Sequence, residues 1–306
     1  MKIHGNQGWE EYPSFLPIFI PHVLEILDDL NLKITFFIVG QDATLPQNRV
    51  YLKMIAQKGH EIGNHSFSHE SWLQLYSREK IKNEIVSAEK QIIEATGQKP
   101  VGFRGPGFSW SPHLLSVLTE RGYSYDSSTL PTYIGPLARM YYFYKSDLSR
   151  EERKERSELF GKFKDGVRPL KPYFWDMGQS NKLLEIPVTT IPVLKIPFHL
   201  SYLLYLSRIS KHLMMLYLKV ALWLCQITKT APCFLLHPLD LISGDKIPEL
   251  SFFPGMDITS QKKVDLLTTV LRTLANKFTI LNMSSFTATL LKGNNKIKTV
   301  KVNVQQ

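Results

Sequence analysis

Residues 61–69 read Glu-Ile-Gly-Asn-His-Ser-Phe-Ser-His, and the reading of the whole chain turns on them. Just upstream, Val50, Leu52, Met54 and Ile55 follow helical spacing over about residues 48–58, and Gly59 stops the helix. The quoted segment therefore starts as a short strand and ends in a loop that presents His65 and His69. Two imidazoles four residues apart can face one metal ion, each through a neutral ring nitrogen at about 2.0–2.1 Å. The same spacing also suits two polar loop residues in a chain with nine histidines, so the pair alone leaves both readings open.

Strand and helix patterns alternate on both sides of this segment. Pro21 suits a first helical turn, and Val23, Leu24, Leu27 and Leu30 then form a helical stripe. A strand follows at Ile34–Val39. Ser77 is an N-cap candidate for a helix that carries Ile81, Ile85, Ala88 and Ile92 on one face and closes at Gly97. Val101–Arg104 is the next short strand. Ser111-Pro112 starts a helix that Gly122 ends, and Tyr123–Ser127 is again a strand. Alternation with short links implies parallel strands covered by helices. In such folds chemistry gathers at the C-terminal strand ends, where His65, Arg104, Asp126 and His237 fall.

Four segments in this order carry a resemblance. They are Lys33-Ile-Thr-Phe-Phe-Ile-Val-Gly40, the His65–His69 segment, Gly102-Phe-Arg-Gly-Pro-Gly-Phe-Ser-Trp110 and Cys233-Phe-Leu-Leu-His-Pro238. Together they resemble the polysaccharide deacetylase family, also called the NodB-homology or carbohydrate esterase 4 family. The resemblance covers about residues 18–127 and 181–290. It implies an α/β fold, a distorted (β/α) barrel, and removal of an acetyl or similar acyl group from a sugar amide or ester. It implies a divalent metal, usually zinc, on His65, His69 and an Asp. It gives His237 the role of general acid, and Arg104 that of orienting the base carboxylate. An ion pair for Arg104 and a core position for His237 are the plain alternatives. Asp126 at its strand end either orients His237 or caps the strand. The family's fourth signature, with its Trp, is not intact.

The family also opens with a strand ending in two acids, and no such strand stands in residues 1–12. Glu10 and Glu11 are the adjacent acids there, and they suit a solvated turn. Either the chain starts at an internal Met and lacks the first strand, or it has lost the acid pair. The first reading makes it a piece of an active enzyme. The second allows a non-catalytic glycan- or lipid-sugar-binding remnant. A metal-free amidohydrolase acting on another C–N bond is a third possibility.

Composition agrees with a folded enzyme: 43% hydrophobic and 11% aromatic residues suffice for a sizeable core. A net charge of +10 favours anionic surroundings, but no nucleic-acid motif is present. No Gly-x-Ser-x-Gly elbow supports serine hydrolysis, and no Gly-rich loop supports phosphate binding. Cys225 and Cys233 read as small buried hydrophobes, not as a disulfide framework. The expected organisation is one domain over 1–291 with an insertion at about 133–180. The insertion holds an aromatic-rich run, Tyr133–Tyr144, and a charged helix, Leu148–Phe163. A loose polar tail follows at 292–306.

An apolar helical pair is expected at about 193–228. Its two runs, His199–Leu206 and 213–227, each fall short of the roughly 20 apolar residues a membrane span needs, and Lys211 and Lys219 interrupt them. They form either a buried pair or an interfacial hairpin with basic residues at headgroup level. No secretory signal is seen, so the expected location is cytoplasmic or peripheral at the inner membrane face. The expected partner is an acylated carbohydrate, lipid-linked in the membrane case.

Overall fold

The computed structural model describes residues 14–135, 163–178, 182–293 and 296–302. In chain order its elements begin with helix α1 (Leu16–Asp29), strand β1 (Thr35–Ile38), α2 (Gly40–Thr44), α3 (Pro46–Gln57), β2 (Glu61–Asn64) and α4 (Arg78–Thr96). Then come β3 (Gly102–Phe103), α5 (Pro112–Glu120), β4 (Tyr125–Asp126), β5 (Tyr173–Asp176) and β6 (Lys182–Glu185). The last are α6 (Leu200–Ile209), α7 (Lys211–Ile227), α8 (Ser260–Ala275), α9 (Met283–Lys292) and β7 (Lys298–Lys301). The chain divides into two compact units. One comprises Met1–Glu11, Lys33–Pro187 and Leu281–Gln306; the other comprises Tyr12–Leu32 and Val188–Ile280.

The first unit holds a seven-stranded sheet in the order β1-β2-β3-β4-β6-β5-β7. All its pairings are parallel except β5 with β6. Parallel neighbours need crossovers, and α2–α5 supply them between the first four strands. The ends of these helices are fixed by local chemistry. The Ser77 hydroxyl accepts the Lys80 N–H at 3.3 Å, and Ser111 does the same for Leu114 at 3.2 Å. Gly97 closes α4 at φ 75°, a conformation that costs a side chain dearly. Ile81 and Ile85 of α4 and Leu114, Leu115 and Leu118 of α5 bury against Phe103, Tyr173, Trp175 and Leu183. Trp110 stacks on Trp175 with ring centroids 4.8 Å apart, and the Arg168 guanidinium lies over Trp110.

Three expectations change here. The first helix begins at Leu16, so Pro17 occupies the first turn and Pro21 lies inside the helix. Seven buried apolar residues of α1, from Leu16 to Leu27, outweigh the single backbone bond that Pro21 cannot donate. Part of the stretch assigned to an insertion is β5, a sheet strand. Residues 136–162, with most of the charged helix expected over Leu148–Phe163, lie outside the described residues. The tail expected to be loose contains β7, which adds Thr299 and Val300 to the sheet beside β5.

In the second unit α6 and α7 form the expected helical pair, joined at Ser210, whose hydroxyl caps α7 through the Leu213 N–H. Leu200, Leu203 and Leu204 are buried, as are Met214, Leu218, Ala221, Leu222 and Cys225. Burial pushes the Cys225 thiol up to about 12, so it stays an inert hydrophobe. Cys233 does not open a strand. Over residues 233–237 no ladder forms: the Cys233 carbonyl accepts the Thr189 N–H, the Cys233 N–H donates to Thr189 Oγ1, and the Leu235 carbonyl accepts the Leu200 N–H.

Candidate functional site

In the first unit the site is built at the C-terminal ends of β1–β4. The register pairs Ile38 with Asn64, Asn64 with Phe103 and Phe103 with Asp126, which aligns those ends. His65 follows β2 directly, and its N–H bonds the Ile38 carbonyl at 2.9 Å. The loop carrying the two histidines is tied down on several sides. Asn64 Oδ1 accepts the Ser66 N–H, and Glu84 Oε2 accepts the Phe67 and Ser68 N–H groups at 3.0 and 2.9 Å. Ser66 and His69 sit at φ 63° and 55°, a strained backbone that this web of bonds sustains. The outcome is two imidazoles with centroids 4.8 Å apart.

His65 Nδ1 lies 2.6 Å from the Arg104 carbonyl oxygen. A carbonyl can only accept, so Nδ1 carries the proton and Nε2 is the lone-pair nitrogen, which is the tautomer a metal ligand needs. Arg104 itself is buried. Its Nε donates to the Ser127 carbonyl at 3.2 Å, its Nη2 to Ser127 Oγ at 2.8 Å, and its guanidinium lies 4.4 Å over the Phe37 ring. The next residue must be glycine: a Cβ on Gly105 would fall 2.0 Å from the Ser109 carbonyl oxygen. Gly105 N–H bonds Ser128 Oγ at 2.8 Å, and that hydroxyl donates to Asp126 Oδ1 at 2.5 Å. The position of the Arg104 carbonyl therefore traces back to Asp126.

Asp126 is fully buried, and its strand partner across β4–β6 is Glu185. Glu185 Oε1 accepts Thr129 N–H and Oγ1–H at 2.9 and 2.6 Å, and its Oε2 accepts Trp175 Nε1–H at 3.0 Å. Burial pushes the Glu185 carboxyl up as well, and these three donors oppose it. Burial, and next the charge of Glu185, hold the Asp126 carboxyl well above its ordinary range. Asp126 Oδ1 accepts from Ser128, and Oδ2 makes no hydrogen bond of ordinary geometry among the described residues. Glu185 carries no sequence signal beyond its place in a strand, and the sequence reading does not single it out.

In the second unit His237 is half exposed and precedes a single 3-10 turn, Pro238–Asp240. Asp240 Oδ2 accepts the His237 N–H at 2.9 Å and lies 3.6 Å from its Nδ1. Ser201 Oγ donates to Asp240 Oδ1 at 2.8 Å, so its oxygen is left to accept from His237 Nδ1, 3.2 Å away. Burial works against the charge on Asp240. Its hydrogen bonds and the charge of His237 more than offset that and hold the carboxyl below its usual range. Lys263, fully buried, locks the turn by donating to the Leu239 and Ile242 carbonyls at 2.7 and 2.9 Å. The sequence reading passed over Ser201 and Asp240. A His followed three residues later by an acid was the available signal.

Zinc fits the histidine pair in donor chemistry and tautomer. A hydrolytic zinc takes three protein ligands, however, and among the described residues no group of three or more His, Cys, Asp or Glu side chains is placed to hold a metal. Glu10 and Glu11 lie outside the described residues.

A sequence model of the polysaccharide deacetylase family matches residues 8–125. The chain is 32% identical over 107 residues to a peptidoglycan-N-acetylglucosamine deacetylase of Bacillus cereus, covering 35% of this chain and 48% of the relative. It is 26% identical over 133 residues to a peptidoglycan deacetylase of Helicobacter pylori, covering 41% and 44%. It thus spans just under half the length of these relatives. A crystal structure of a Mycobacterium smegmatis protein assigned to the polysaccharide deacetylases superposes over 95% of this chain and 82% of that one, with a TM-score of 0.58 at 19% identity. That likeness concerns the fold, an α/β architecture of the distorted-barrel type. Residues 8–125 are thus similar to the polysaccharide deacetylase family.

Proposed function

We propose that this protein removes acetyl groups from an N-acetylated glycan by hydrolysis, with peptidoglycan as the substrate class. One observation carries the reading: the His65 imidazole, adjacent to His69, is held by the Arg104 carbonyl in the metal-ligand tautomer, within the stretch that matches peptidoglycan deacetylases. His65 and His69 would hold a divalent metal, with zinc favoured. Such an ion polarises the acyl carbonyl and lowers the pKa of a bound water. The loop bonds around Asn64 and Glu84 keep both rings placed without rearrangement. The general-acid role that the resemblance implies would fall to Nε2 of His237, because its Nδ1 faces Ser201 Oγ at 3.2 Å. Acetate release from N-acetylated peptidoglycan, with and without a chelator, tests this. Release that chelation leaves unchanged would overturn it.

Asp240→Asn is expected to lower kcat by about tenfold with KM nearly unchanged, as when an oriented acid loses its supporting carboxylate. An unchanged kcat would take Asp240 out of the reaction. A second reading, a glycan-binding chain without catalysis, is favoured by the absence of a third acidic ligand among the described residues. Zinc binding and glycan binding without acetate release would select it.

A further inference from the structure

Helix α7 has two apolar faces, and one of them is exposed. Met214, Leu218, Ala221, Leu222 and Cys225 form the buried side. On the other side Leu213, Leu216, Val220, Trp223 and Ile227 recur in steps of three and four and are 41–60% exposed. Tyr205 and Ile209 of α6 are exposed as well. A contiguous stripe of this size on a helix surface marks an interaction site. Among the described residues no helix is long and apolar enough to cross a membrane, so the stripe is not part of a span.

Charge decides what covers it. No Asp or Glu occurs between Glu185 and Asp240, whereas Lys195, Arg208, Lys211, Lys219 and Lys229 do. Arg208 is paired with Asp257 inside the unit. Lys211, Lys219 and Lys229 are exposed on or beside α7. A second copy of this helix would suit the three-four spacing, but it would set lysine against lysine with no carboxylate of its own to answer. An anionic lipid surface answers both features. The acyl boundary accepts the stripe, headgroups meet the lysines, and Trp223 suits the interface between them.

We propose that the exposed face of α7 docks this protein onto anionic membrane surfaces, with the helix lying in the plane of the headgroups. The proposal stands apart from the deacetylase reading, since vesicle binding needs neither metal nor turnover. Co-sedimentation with phosphatidylglycerol and with phosphatidylcholine vesicles tests it. Binding is expected to the anionic vesicles alone and to weaken as salt shortens the Debye length. Leu216→Ser/Trp223→Ser is expected to cut binding by about tenfold or more, and Lys211→Glu/Lys219→Glu by a similar factor. All four positions are exposed, so an unchanged melting temperature checks that the fold is kept. Three results overturn the proposal: no binding to anionic vesicles, equal binding to neutral ones, or full binding by the Leu216→Ser/Trp223→Ser variant. So does a dimer in lipid-free solution that this variant dissolves, because the stripe would then belong to a second copy.

Discussion

Alanine at His65 is expected to weaken zinc binding by more than about a hundredfold and to bring acetate release down to the uncatalysed level. The side chain does two things at once. In the proposed site its Nε2 is one of two nitrogens that would hold the metal, and its Nδ1–H holds the Arg104 carbonyl at 2.6 Å. Outer-shell partners of a metal ligand alone are worth about 10–100-fold in affinity, so loss of the ligand should exceed that. His69→Ala separates the two effects, because it removes a donor and leaves the His65–Arg104 bond in place. Zinc titration of both variants, alongside their thermal unfolding, is the measurement. Affinity equal to the parent in both would remove the pair from metal binding, and with it the central support for hydrolysis.

Much of this was legible in the sequence, and for a local reason. Ser77, Gly97, Ser111, Pro112 and Gly122 act within one turn of themselves, and the helix ends they mark are where the structure places them. The His65–His69 loop was legible because a strand delivers it and four residues separate the rings. What escaped depends on distant partners. Tyr173–Asp176 becomes a strand because β6 and β7 flank it, and Lys298–Lys301 because β5 offers an edge. Neither fact is written in four residues of sequence. Pro21 misled because its effect on a helix is local, whereas the burial that overrides it comes from the whole length of α1.

The site shows the same division. His65, Arg104 and His237 are marked by their motifs, but the groups that hold them are not. Ser128 reaches Gly105, Ser127 holds the Arg104 fork, and Ser201 comes to His237 from a helix that starts 37 residues earlier. Serines and acids of this kind look ordinary until the fold brings their partners to them.

Asp126→Ala is expected to cost about 3 kcal/mol of stability, more than a hundredfold in the folding equilibrium, whereas Asp126→Asn is expected to cost little. Alanine strips a buried acceptor from Ser128 and leaves Glu185 facing a void. Asparagine keeps an oxygen for Ser128, and its amide N–H₂ stands in for Oδ2. The pH dependence gives the sharper test. The folded-state pKa of Asp126 lies well above its ordinary 3.8, so the folded chain holds the proton that the unfolded chain gives up. Stability contributed by this group therefore falls as pH rises above about 3.8 and levels off once the folded-state value is passed. Asparagine does not titrate, and its variant should gain on the parent protein in urea unfolding as pH rises above about 3.8, until the folded-state value is passed. Asp126 and Glu185 act on each other's carboxyl, so the difference between the two proteins reports the pair. Equal losses from Asn and Ala at pH 5, or parallel pH profiles for Asn and the parent, would mean that Asp126 is ionised in the fold. The chain from its carboxyl through Ser128 and Gly105 to His65 would then be anchored on a charge, and Glu185 would have to hold the proton in its place.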